Sequence, residues 1–248
     1  MQMIAESRKY DGLDERYLKE TRLLDFTSLA IAQLVRSRGW EAQTKYDRIA
    51  KIYDFVQNEI EFGFSEADDL PASRVLEDGF GQGNTKATLF MALLRACGIP
   101  CRYHAFTIDK KLQKGAIEGL SYMIAQSSII HGWVEVWFGG RWVNLEGFVL
   151  DRAYLESVQQ HFSSVDGPFC GYAIAIDNLQ HPPINWTGTD TYIQKDGINA
   201  DFGAFDAPDD FYAQRGTDLH GLRGFLFRHF LMNRMNHTVS KIRAAEWS

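Results

Sequence analysis

The stretch Gly79-Phe80-Gly81-Gln82-Gly83-Asn84-Thr85-Lys86-Ala87 decides the fold, because its glycine-rich turn runs directly into apolar residues at 87, 90, 91, 94 and 97. That spacing predicts an α-helix opening at or near Gly83. Gly98 at the position after the helix and Pro100 beyond it end the helix after about four turns. Free backbone N–H groups and the positive end of the helix dipole are then expected around residues 82 to 86.

Working outward, Cys101 to Ile108 reads as a strand. His131 to Phe138, the Gly139-Gly140 pair and Arg141 to Phe148 carry a strong hairpin signal. Alternation along a strand puts His131, Trp133 and Glu135 on one face, and Trp142, Asn144 and Glu146 on one face of the partner strand. A two-residue turn allows the two faces to coincide. Glu146 is then expected to reach a ring nitrogen of His131, and Asp69 to Phe148 is the region that organises the chain.

These motifs resemble those of the transglutaminase-like superfamily, relatives of the papain-like thiol enzymes. The family pattern is Gly-x-Cys at a helix start, Ala-Leu-Leu-Arg-x-x-Gly-Ile-Pro at its end, His-x-Trp-x-Glu, and a strand ending in an acidic residue. Here those read Gly81-Gln82-Gly83, Ala92 to Pro100, His131-Gly132-Trp133-Val134-Glu135 and Asn144-Leu145-Glu146. Glycine stands where the nucleophilic cysteine belongs, and glutamate where aspartate is commoner. The resemblance implies an α+β papain-like core with a helix packed on an antiparallel sheet, and acyl chemistry such as amide hydrolysis or acyl transfer to an amine.

With 248 residues, 45% of them hydrophobic, the chain is long enough to bury one sizeable core. A single soluble domain is expected, in three parts: N-terminal helices over 1–60, the core over 61–176, and a surface-wrapping segment with a C-terminal helix over 177–248. The net charge of −6 argues against a nucleic-acid partner, which selects for a basic excess. Cys97, Cys101 and Cys170 form neither a disulfide framework nor a zinc signature, so a reduced, cytoplasmic protein is the simplest reading. Met1 to Arg22 lacks an apolar signal core, and no run reaches the ~20 apolar residues of a membrane span.

Apolar spacing predicts a helix over Leu23 to Arg38 and another opening at a capping box, Thr44 to Asp47. Glu61 to Leu70 reads as a loop that walls a cleft, and Ala72 to Asp78 as a short helical turn. Lys110 to Ser128 reads as an insertion, a candidate lid with a short helix around 115–124. A helix to about His161, a strand over Phe169 to Ile176, an irregular run from Asp177 to Asp218 and a helix over Leu222 to Ala245 complete the reading. The last helix has a basic stripe that docking on its own domain explains more cheaply than a membrane or an acidic partner.

A thiol at position 83 would have been activated by the helix terminus and by His131. Glycine offers no nucleophile, and Cys97 lies about 21 Å away along the helix. Three alternatives stay open: an inactivated thiol amidase or acyltransferase, a non-catalytic pseudoenzyme that binds a ligand in the old cleft, and an enzyme that needs no protein nucleophile. The last would use His131 as general acid/base, Glu146 to orient it, and the N–H groups of Gly83 and Asn84 with the Gln82 side chain as oxyanion donors. Its substrate would be a small carbonyl, amide, ester or peptide-like molecule. Trp133 and His104 are placed at the cleft, His104 as a second proton carrier. No cofactor is expected, and no close His or Cys spacing supports a metal.

Overall fold

The computed structural model describes residues 13–117, 119–124, 126–217 and 227–247. In chain order, the helices are α1 (Leu29–Arg38), α2 (Lys45–Asn58), α3 (Ala72–Asp78), α4 (Gly83–Ala96), α5 (Gly119–Ile124), α6 (Arg152–His161), α7 (Pro208–Arg215) and α8 (Met232–Arg243). The strands are β1 (Glu61–Phe62), β2 (Phe80–Gly81), β3 (Cys101–Asp109), β4 (Ser128–Phe138), β5 (Arg141–Leu145), β6 (Phe169–Gly171), β7 (Ile174–Ile176) and β8 (Ile198–Phe205). The fold class is α+β.

The main sheet is antiparallel, in the order β5-β4-β3-β8. Gly139 and Gly140 have φ of 61° and 80°, the left-handed conformations that a two-residue hairpin turn requires. They fix the β4–β5 register as Val134 opposite Leu145 and Glu135 opposite Asn144. The faces therefore coincide as the alternation predicts. Tyr103, Ala105, Val134, Val136 and Leu145 turn into the core shared with α4, and Phe106, Ile108 and Trp133 into a second, smaller cluster with Leu112 and Ala175.

Helix α4 is buried from Gly83 to Arg95, which is why its sequence is apolar almost all round. Its two cations are inside as well, and each donates to carbonyl oxygens. Arg95 donates to the carbonyls of Lys19, Cys101 and Asp206. Lys86 Nζ donates to Gln57 O at 3.3 Å and Ile60 O at 2.8 Å, so its amino group covers the C-terminal end of α2, whose carbonyls need donors. Gly98, with φ of 72°, closes α4 as expected.

Several elements depart from expectation. The first helix begins at Leu29 rather than Leu23, because Leu23 and Leu24 are buried as irregular chain whose N–H groups bond to Asp209 and Thr21. Thr44 caps α2 by accepting from Asp47 N, but Asp47 returns to the Thr44 hydroxyl instead of its backbone N–H. Glu61 and Phe62 pair with β2 before the loop begins. The expected strand over Phe169–Ile176 is a hairpin turning at Tyr172 and Ala173. The Asp177–Asp218 run contains β8 and α7, which the sequence reading passed over: Ile198, Ala200, Phe202 and Ala204 alternate with Asn199, Asp201 and Gly203, but Ala, Asn, Asp and Gly are poor strand formers and mask the pattern. The insertion helix is α5, shorter than predicted, and Leu112, Ala116 and Ile117 ahead of it are buried.

The C-terminal helix docks on its own domain. Asn236 holds both backbone groups of Phe64, and Arg243 joins Asp151, Glu61 and Phe62 O. Residues 222–226 of the expected helix lie outside the described residues, as do residues 1–12 of the polar lead-in.

Candidate functional site

Gly83 is the first residue of α4, with Gln82 as its cap. His131 lies on β4 opposite Phe106 of β3, and Glu146 directly follows β5. His131 and Glu146 are 4% and 0% exposed. His131 Nε2 lies 3.5 Å from Glu146 Oε1, longer than an ordinary hydrogen bond, and neither atom has a hydrogen-bond partner among the described residues. The other oxygen of Glu146 is well held: Oε2 accepts from Ile193 N at 2.9 Å and Gln194 N at 3.0 Å. Thr191 fixes the strand end by accepting from Glu146 N and Gly147 N and bonding to Tyr53.

The imidazole of His131 fills the space that a side chain at position 83 would occupy. A Cβ built on Gly83 would lie 2.5 Å from His131 Nδ1 and 3.0 Å from Nε2, with Cε1 closer still. Real carbon atoms do not approach so closely, and the ring is packed edge-on to Phe106 at 5.2 Å between centroids. The helix terminus and the histidine are thus in direct contact, with no gap left between them for a reacting atom.

Of the expected oxyanion donors, the Gln82 side chain has other partners, while the N–H groups of Gly83 and Asn84 belong to the first turn of α4, where a helix has no internal acceptor for them. Gln82 Oε1 accepts from Ser65 N at 2.6 Å, and Gln82 Nε2 donates to Asp68 at 3.1 Å. Asn84 Nδ2 donates to Ile130 O at 3.0 Å, and its Oδ1 accepts from the Tyr103 hydroxyl. Both side chains tie α4 to its surroundings. Trp133 is buried, lies 4.7 Å from Phe106 and 4.9 Å from the His104 ring, and leaves its indole N–H without a partner among the described residues.

His104 stands next to the site on the same sheet face but is committed elsewhere. Nδ1 lies 2.6 Å from Glu135 Oε1 and Nε2 lies 2.8 Å from Asp201 Oδ1. Burial alone would lower its pKa, but the two carboxylates together outweigh that and raise it. Glu135 also pairs with Arg102 of β3. Its carboxyl is held low, because these two cations outweigh the opposing effect of burial.

The cysteines supply no nucleophile here. Cys97 and Cys101 are buried at the far end of α4, and burial pushes the Cys101 thiol up. Cys170 is exposed on β6 with its pKa also raised, chiefly by partial desolvation. Among the described residues, no group of three or more His, Cys, Asp or Glu side chains is arranged to hold a metal. No helix among them is long and apolar enough to cross a membrane.

Sequence reasoning missed the residues that hold the dyad in place. Thr191 and the Ile193–Gln194 backbone come from the irregular run after Asp177. Phe106 was identifiable only by its alternation with His104.

Residues 33–147 match the family model described as Transglutaminase-like superfamily. No curated protein matches. Among solved structures, a "putative cysteine protease" from Cytophaga hutchinsonii is similar at 15% identity and a TM-score of 0.45, over 83% of this chain and 52% of that one. Red sea bream transglutaminase is similar at 17% identity and a TM-score of 0.30, over 50% of this chain and 25% of that one. The chain thus spans about half the length of the first structure and a quarter of the second. Over residues 33–147, a little under half of its length, the chain is thus similar to the transglutaminase-like superfamily.

Proposed function

We propose that this domain is a non-catalytic member of its superfamily, a pseudoenzyme that acts by binding and in which the thiol site has been converted into packed core. One observation carries the reading: the His131 ring occupies the volume of the missing side chain at 83. A general base must come within hydrogen-bond reach of the proton it takes. Here the ring is buried against Gly83 and Phe106, and the side chains of Gln82 and Asn84 are engaged with protein partners. Acyl transfer through a thiol has no residue to perform it at this position.

A second reading keeps chemistry in the site, and a specific observation favours it. His131 Nε2 and Glu146 Oε1 are buried polar atoms without partners. Such atoms cost about 1–3 kcal/mol each and often mark a functional site. In that reading His131 swings away from Gly83, and a water or a small carbonyl, amide or ester substrate enters beside the α4 N–H groups. Glu146 then orients the imidazole as general base.

The discriminating experiment is alkylation of a Gly83→Cys variant with iodoacetamide against pH, with the modified site mapped by mass. A filled site predicts slow modification with the pH dependence of an ordinary thiol, near about pH 8.5. Fast modification well below that, lost when His131→Ala is added, would sink the proposal and restore a thiolate–imidazolium site. For the second reading the probe is a small activated ester given to the parent protein. Turnover that collapses in His131→Ala and shows a limb set by imidazole protonation would establish it.

A further inference from the structure

We infer that His104 is a pH-operated fastener that holds the edge strand β8 on the main sheet when it is protonated and releases the strand's middle when it is not. The argument begins with donors and acceptors. Both carboxylates facing the ring only accept hydrogen bonds, so Nδ1 and Nε2 must both donate, and only the imidazolium carries two N–H groups. A neutral ring keeps one of these bonds and turns a lone pair toward the other carboxylate.

The bond that fails is the outer one. The Glu135 side chain is 6% exposed and fixed by Arg102, whereas that of Asp201 is 62% exposed. Deprotonation therefore leaves the proton on Nδ1, facing Glu135, and sets the Nε2 lone pair against Asp201. The ionisable groups around the ring are Glu135 on β4, Asp201 on β8 and, through Glu135, Arg102 on β3 itself. Trp133 and Phe106 cover other sides of the ring and do not titrate.

Losing that bond matters because the backbone ladder is interrupted at the same place. His104 pairs with Ala204 and Ala105 with Gly203, but Phe106 pairs with Asp201, so Phe202 is the extra residue of a bulge. Gly203 takes φ of 78° there, and its N–H donates to Asp201 Oδ1 at 2.7 Å. Asp201 thus joins the bulge to His104 at one of the two breaks in the β3–β8 ladder, the other leaving Asn199 out of register. As an edge strand, β8 has no neighbour on its other side in this sheet among the described residues. The strand's two ends are tied independently, by Asn199 to Thr107 and Ser128, and by Arg95 to Asp206 O. Release is therefore confined to residues 201–204.

The sign follows from the raised folded-state pKa. The stabilisation is complete below the ordinary imidazole value and is lost as pH rises through the higher, folded one. The test is nuclear magnetic resonance of the full chain between about pH 5 and pH 9, a span that brackets an ordinary imidazole. The His104 ring proton, assigned by its loss in His104→Gln, gives the titration, and amide exchange of Phe202, Gly203 and Ala204 gives protection factors.

The expected result is a His104 titration above the ordinary value, with protection at 202–204 falling about fivefold or more across it, the scale of one charge-assisted bond. Asp201→Asn is an exposed substitution that keeps an acceptor and adds a donor for the neutral ring. It should lower the His104 titration and abolish the loss of protection. The inference is overturned by a titration at or below the ordinary value, by protection that does not change with pH, or by an equal loss in Asp201→Asn.

Discussion

Gly83→Ala is the sharpest perturbation of the filled site, because it adds one carbon where the ring already lies. The new Cβ would stand 2.5 Å from His131 Nδ1 and nearer still to Cε1, so the imidazole must leave its place between Gly83 and Phe106. Overpacking of this kind costs about 1–3 kcal/mol. Alanine returns up to about 1 kcal/mol over glycine through helix propensity, and less in the first turn. The net expectation is destabilisation by about 1–2 kcal/mol, or roughly 2–8 °C in Tm for a chain of this size.

The assay is urea denaturation of a four-member cycle with His131→Ala. In the His131→Ala background the clash is gone, and Gly83→Ala should become neutral or stabilising by a few tenths of a kcal/mol. The coupling between the two positions should then be about 1–3 kcal/mol, well above the additivity error for independent sites. The reasoning fails if Gly83→Ala is as stable as the parent. It fails equally if the loss is the same in both backgrounds, because the cost would then not come from the ring.

Lys86 and Arg243 give two further tests of buried charge. Burial lowers the Lys86 pKa from 10.5 to about 7, so between those values the unfolded chain holds the extra proton and stability rises with pH. Subtracting the denaturation profile of Lys86→Met, which has no such group, should isolate a rise of roughly 3–5 kcal/mol from about pH 7 to pH 10. A difference profile that stays flat would refute it. Arg243→Ala leaves the Asp151 carboxylate buried with only the Phe62 and Tyr154 N–H groups, and should cost about 3–5 kcal/mol in urea denaturation. Asp151 is held below its usual 3.8 because Arg243 and those N–H groups outweigh burial, so its contribution is present above that value and fades as pH falls through the depressed one. The Arg243→Ala variant should therefore begin acid unfolding at higher pH than the parent, which fluorescence against pH will show.

What was legible in the sequence was carried by backbone rules that act within a few residues. Gly98 and Pro100 end α4, Gly139-Gly140 sets the hairpin, and alternation from that turn puts His131 and Glu146 on one face. These are statements about dihedral angles and periodicity, and they need no knowledge of distant chain. β8 carries the alternation only in weak form, through Ile198, Ala200, Phe202 and Ala204, and it is held by side chains far away in sequence: Thr107 to Asn199, His104 to Asp201 and Arg95 to the Asp206 carbonyl. The anchoring of Glu146 was hidden for the same reason, because Thr191, Ile193 and Gln194 lie some 45 residues downstream in a segment without apolar pattern.

The site itself separates position from volume. Motif order places a histidine, a carboxylate and a helix terminus together, and the structure brings those three together. Whether they form a reaction centre depends on the space between them, which no spacing rule describes. With a side chain at 83, the imidazole is excluded from that volume and must stand off, leaving room for a substrate atom. With glycine there, the ring can approach until it touches the helix backbone, and its burial beside Phe106 favours that approach over keeping an open, wetted gap. In the function proposed above, one absent Cβ is enough to leave His131, Glu146 and the α4 terminus as a packing contact. The two unpartnered atoms, His131 Nε2 and Glu146 Oε1, remain as the polar cost of that change.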